Sequence, residues 1–129
     1  MQLHKQTITT TTVDSDVPVS ITLIELIGDI DGSTAPLMQA DILAAAAPNI
    51  QMILNMTQVS YLSSAGLRML LSVYRQVSAQ SGQVVLVGLM EELQDTMTVT
   101  GFLEFFTVAD TLEAAFALLN LKAPALSGC

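Results

Sequence analysis

The sequence is short of the residues that do most enzyme chemistry: 129 residues contain one histidine, one cysteine and no tryptophan. A serine or cysteine nucleophile needs a base beside it, and the single imidazole, His4, sits near the start of the chain with no G-x-S-x-G elbow anywhere. A zinc site needs several Cys and His ligands, so only carboxylates remain for a metal. The closest acidic cluster, Asp29-Ile30-Asp31-Gly32, lacks the ligand spacing of a calcium loop. Neither Gly-rich phosphate-cradling motif, the P-loop or the dinucleotide fingerprint, occurs. An aspartate for a phospho-accepting receiver is also missing, because the third apolar run ends Asn55-Met56-Thr57. These absences predict a chain that is not an enzyme and takes no cofactor or metal.

Positive charge is scarce as well. Four bases against 12 acids give a net charge of -8, so no basic stripe can form for nucleic acid or anionic lipid. Charged residues are only 12% and hydrophobic ones 51%, which argues against intrinsic disorder, yet every unbroken apolar run falls far short of the roughly 18 residues of a membrane span. No apolar segment follows basic residues at the amino terminus, so no secretion signal is evident and a cytoplasmic location is expected. Cys129, the last residue, reads as a free thiol on a tail that carries no lipidation box. The length suits a single domain over 1–122, followed by a short, disordered tail at 123–129.

What the chain does have is alternation. KQTITTTT (5–12) is β-branched, and a polar turn leads to VSITLIELIG (19–28), which together predict two strands. APLMQADILAAAA (35–47) has helical apolar spacing, with Ser33 or Thr34 as N-cap, Pro36 in the first turn, and Pro48 and Asn49 closing it. A strand at 50–56, a helix at 66–80 closed by Gly82 and a buried strand at 84–89 follow. The last part predicts a short helix in EELQDTMTVTG, a strand in FFTVA and a helix in TLEAAFALLN capped by Asp110 or Thr111. Strands and helices in this order favour an α/β fold, a largely parallel sheet whose amino-terminal strand pairs antiparallel with its neighbour. The seven methionines fall mostly within apolar periods and read as core.

One connector stands out. QVSYLSSAGL (58–67) places three serines, then Ala65 and Gly66, where a buried strand hands over to a helix. That carboxyl end is where α/β proteins commonly hold functional groups. One hydroxyl, of Ser63 or Ser64, suffices to cap the helix, for about 1 kcal/mol. The other is then free. A wheel from Ser64 puts Arg68, Ser72, Arg75 and Ala79 on one stripe, opposite Leu67, Leu70, Leu71, Tyr74 and Val77. Such a face suits docking by another protein, and a phosphate at its start would add about -1.5 to -2 charges at a helix N-terminus, with Arg68 one turn on.

Three stretches resemble the STAS domains, and among them the single-domain anti-sigma factor antagonists of bacterial partner-switching systems. GDIDGSTAP (28–36) is similar to that family's loop after the second strand, QVSYLSSAGLRMLLSVYRQV (58–77) to its signature around a phosphorylated serine, and TGFLEFFTVADTLEAAFALL (100–119) to its closing segment. The second is the specific one. The resemblance implies a STAS-like single domain, a four- to five-stranded mixed sheet with about four helices packed mainly on one face. It implies no catalysis. It implies binding, when unphosphorylated, to an anti-sigma factor that is also a serine kinase of the histidine-kinase-like ATPase class. Phosphorylation by that kinase releases the complex, and a serine phosphatase resets it.

By its place before Gly66 the acceptor is Ser64, with Ser63 the second candidate. The partner-binding surface then comprises Asp29, Asp31, Ser63, Ala65, Gly66, Arg68, Ser72 and Arg75. The commonest form of the motif has Asp directly before the acceptor, where this chain has Ser63, which leaves open a different ATPase partner and an output other than a sigma factor. A constitutive scaffolding module in a signalling complex, its serines acting only as caps, is the competing expectation.

Overall fold

The threonine-rich start and the first apolar run fold as a hairpin. In the computed structural model, which describes residues 2–122, β1 (Gln2–Thr11) pairs antiparallel with β2 (Pro18–Ile27), setting Ile8 opposite Ile21. The turn between them closes through the Thr12 N–H donating to the Val17 carbonyl at 3.0 Å, with Asp16 at φ 54. Next come α1 (Ala35–Ala44), β3 (Gln51–Gln58), α2 (Ser64–Ala79), β4 (Gln83–Val87) and α3 (Glu91–Val99). A 3-10 turn (Phe102–Phe105), β5 (Thr107–Ala109) and α4 (Leu112–Leu118) finish the described residues. The strands lie in the order β1-β2-β3-β4-β5 in one sheet, parallel from β2 onward.

Both faces of the sheet are covered, which is why β3 and β4 read as continuous apolar runs rather than alternating ones. Met52, Leu54 and Met56 of β3 and Val84 and Leu86 of β4 pack under α1, α2 and α3, against Met38, Ile42, Leu70, Val73, Leu93 and Met97. Ile53, Val85 and Val87 point the other way, against Ala115 and Phe116 of α4. Three of the four helices among the described residues therefore share one face, as the family resemblance implies. Met38, Met52, Met56, Met69 and Met97 are buried, whereas Met90 is exposed. No helix among the described residues is long and apolar enough to cross a membrane.

Element boundaries differ from the sequence pattern in informative places. α1 stops at Ala44 rather than 47, because Pro48 disfavours helical backbone at Ala47; Ala45 and Ala46 instead turn back onto the carbonyls of Ile42 and Leu43. α2 starts two residues earlier than expected, at Ser64. β4 ends at Val87 because Gly88, at φ 72, turns the chain and donates its N–H to the Ala109 carbonyl at 3.0 Å. Of FFTVA only Thr107–Ala109 is strand, the first phenylalanine having been wound into the 3-10 turn that follows Gly101 at φ 79. The expected tail at 123–129, with Cys129, lies outside the described residues.

Phe116 is the largest fully buried side chain and the main plug between α4 and the sheet. Phe116→Ala is expected to cost about 3–5 kcal/mol in urea unfolding, the usual loss for deleting a buried aromatic ring.

Candidate functional site

Parallel strands deliver their following loops to the same edge of the sheet, so the segments after β2 and β3 emerge side by side. Here they are joined. The Ile30 N–H donates to the Tyr61 carbonyl and the Ser63 N–H to the Ile30 carbonyl, each at 2.9 Å, forming a one-residue parallel bridge between Ile30 and Leu62. Both of those side chains are buried beneath the loops. The bridge sets Asp29 beside Ser60, whose hydroxyl donates to the Asp29 carboxylate at 3.0 Å.

Asp31 shapes the first loop from within. Its Oδ1 accepts from the Ser33 hydroxyl at 2.8 Å, the Ser33 N–H at 2.9 Å and the Thr34 N–H at 3.1 Å. These donors, the Ser33 hydroxyl foremost, hold the Asp31 carboxyl below the ordinary aspartate range. Thr34 takes the N-cap position of α1, but its side chain does not cap the helix. It donates to the Asp29 carbonyl at 3.0 Å and accepts from the Asp31 N–H at 2.9 Å, so the hydroxyl expected at a helix start serves the loop instead. Asp29 is exposed, and its carboxylate links the two loops through Ser60; the Asp31 carboxylate is committed within its own loop.

The two connector serines have separate tasks. Ser63, extended at φ -75 and ψ 173, is the N-cap of α2, and its Oγ accepts from the Gly66 N–H at 3.2 Å. Ser64 is the first helical residue, exposed, and its hydroxyl makes no hydrogen bond among the described residues. The capping requirement is thus met by one serine and leaves the other unoccupied at the surface. Gly66 is buried: a Cβ there would lie 2.5 Å from Leu62 Cδ1 and 3.1 Å from the Ile30 carbonyl. Its lack of a side chain lets the joined loops close over the helix start. Ala65 is half-buried.

Farther along α2, Arg68 and Arg75 are exposed on the Ser64 stripe. Ser72 departs from expectation: it is half-buried, accepting from Gln39 Nε2 of α1 at 3.2 Å and Gln76 Nε2 at 3.1 Å, so it fastens helix to helix. Tyr61, 53% exposed in the bridged loop, and Met90, 39% exposed before α3, add apolar surface to the same edge. The sequence pattern did not single them out, since an exposed apolar residue in a loop looks like any core residue until burial is known. A cavity of about 310 Å³ lined by Tyr74, Ser78, Gln83, Thr107 and Leu118 lies near the start of β4 and the end of α2, away from the serine connector.

Residues 12–115 match the family model described as the STAS domain. This chain belongs to the STAS domain family. BtrV of Bordetella bronchiseptica, a candidate anti-sigma factor antagonist, is 31% identical to it over 98 residues, covering 75% of this chain and 84% of that one. A crystal structure of an anti-sigma factor antagonist from Mycobacterium paratuberculosis superposes with a TM-score of 0.69 at 22% identity, covering 91% of this chain and 93% of that one. The Bacillus cell-fate determinant SpoIIAA in its phosphorylated form gives 0.59 at 21% identity, covering 90% and 99%. The structural matches establish the shared fold.

Two stability measurements follow for this STAS domain. Ser63→Ala is expected to lower unfolding stability by about 1 kcal/mol through loss of the cap, while Ser64→Ala changes it by no more than a few tenths, both read by urea denaturation. Because the folded-state value of Asp31 is depressed, its stabilisation is fully present above the ordinary aspartate pKa and is lost as pH falls through its own lower value. Asp31→Asn should flatten that part of the acid limb of the stability profile, read as thermal midpoint against pH.

Proposed function

We propose that this chain is an anti-sigma factor antagonist of the partner-switching kind, with Ser64 as the residue that is phosphorylated. The observation that carries it is the division of labour at the start of α2, where Ser63 caps and Ser64 stands exposed, its hydroxyl without a hydrogen bond among the described residues. Membership of the STAS family and likeness to anti-sigma factor antagonists support the coarser role. In this proposal the unmodified protein binds an anti-sigma factor that is also a serine kinase, with Asp29, Tyr61, Ser63, Ser64 and Ala65 at the contact. Asp31 and Gly66 give the loops their form. The chain is the kinase's substrate and not itself a catalyst.

The physics of the site fits a switch that breaks an interface and spares the fold. A neutral hydroxyl is buried at small cost when it gains a hydrogen bond, whereas a phosphate must be desolvated at several kcal/mol unless fully paired. In the free protein the same phosphate stays in water at the positive end of α2, where it is stabilised. Modified protein should therefore remain folded but unable to bind, until a phosphatase removes the group.

The test uses the kinase that phosphorylates this chain with ATP, isolated from its native cells by that activity. Ser64→Ala should bind it about as well as the unmodified protein, and Ser64→Asp about 100-fold or more weaker in calorimetric titration, the loss expected when a charge enters a closely packed contact. Mass spectrometry of the phosphorylated product should place the phosphate on Ser64. Equal binding by both variants, or a phosphate found only elsewhere, overturns the proposal.

A further inference from the structure

The outward face of α2 beyond Ser64 has a composition unlike the rest of this acidic chain. Both of its arginines, Arg68 and Arg75, lie there, seven residues apart. That spacing is about 10 Å along a helix at 1.5 Å per residue, nearly two turns on one side. Between them lie half-buried Leu71, which the sequence pattern set opposite this stripe but which seven residues of helix bring back to the side of Ser64, and Ser72; with Gln76 they line a shallow groove of about 410 Å³. Despite 12 acidic residues in the chain, neither arginine forms a salt bridge among the described residues, where the one ion pair joins Lys122 to Asp16. Two guanidinium groups with no carboxylate partner among the described residues, flanking the aliphatic Leu71, suit carboxylates from outside.

We infer that this groove docks an acidic helix of the partner, carrying carboxylates two turns apart with an aliphatic side chain between them, and that a phosphate on Ser64 expels it by taking Arg68. The inference rests on the function proposed for Ser64 and supplies its means of release. Ser64 stands four residues before Arg68 on the same stripe, the spacing and order in which an anion pairs best with a cation on a helix. The phosphate would carry about -1.5 to -2 charges and would be tethered at an effective concentration on the order of millimolar or above, so it competes with an intermolecular carboxylate from a position of advantage. Arg75, nearly two turns farther on, stays available, and the docked helix loses one of its two anchors.

A synthetic helical peptide with two glutamates seven residues apart and a leucine between them is the probe, labelled for fluorescence anisotropy at low salt. Arg68 and Arg75 are exposed, so their alanine variants should melt like the parent. The peptide is expected to bind the unmodified protein, to lose about tenfold in affinity on Arg68→Ala plus Arg75→Ala, and to weaken as salt is raised. Ser64→Asp should weaken binding severalfold when Arg68 is present and have little further effect once Arg68→Ala has been made, the non-additivity of groups that act through one another. Failure to bind, indifference to the arginines, or an equal effect of Ser64→Asp with and without Arg68 would overturn the inference. It would fall alone if the kinase still distinguished Ser64→Asp from Ser64→Ala, and the function proposed for Ser64 would fall with it if the kinase did not.

Discussion

The short bridge between Ile30 and Leu62 is the contact on which the rest of the site depends. Its two backbone hydrogen bonds, from Ile30 to Tyr61 and from Ser63 to Ile30, are worth about 1 kcal/mol each, a modest sum. Their larger effect is on register. They fix the loop after β2 against the loop after β3, bury Ile30 and Leu62, and so place Asp29 next to Ser60 and deliver Ser63 to the start of α2 in the extended conformation a cap requires. Gly66 belongs to the same constraint, because any side chain there would strike Leu62 and Ile30.

From that constraint comes an unequal treatment of neighbouring polar groups. Thr34, Asp31, Ser33 and Ser63 spend their hydrogen bonds on holding loop and helix ends. Asp29 stays exposed while tied to Ser60, and Ser64 faces outward with no hydrogen bond among the described residues. A rigid frame carrying a free hydroxyl is a reasonable platform for a modification that changes binding and leaves stability alone, since the groups that stabilise the fold are not the ones that would be modified. The surface is also electrostatically biased, with both arginines of a chain of net charge -8 collected on the one helix that begins with that hydroxyl.

Much of the architecture was legible in the sequence because the signals were local. Two apolar runs, one with intervening glutamine and asparagine at 50–56 and one without at 84–87, marked strands buried on both faces; Asp110 or Thr111 was marked as the cap of the last helix, and the structure gives it to Thr111, which accepts from the Ala114 N–H at 3.1 Å. Where local signals competed, boundaries moved. Ala45–Ala47 favour helix intrinsically, but Pro48 restricts the residue before it, and the helix ended early.

By itself the sequence determined the α/β order of elements, the hairpin at the amino terminus, the family and the connector in which a site had to be sought. These follow from periodicity, turn chemistry and a short motif, each confined to a few consecutive residues. Only the tertiary structure decided which of two adjacent serines caps α2, that Thr34 serves the loop and not its helix, that Gly66 is covered, and that Ser72 faces α1 while Arg68 and Arg75 face water. The reason is physical: a hydroxyl or a small residue has several partners within reach along the chain, and the choice among them is made by segments about thirty residues away that the sheet brings alongside, as Ile30 is brought to Leu62 and Gln39 to Ser72.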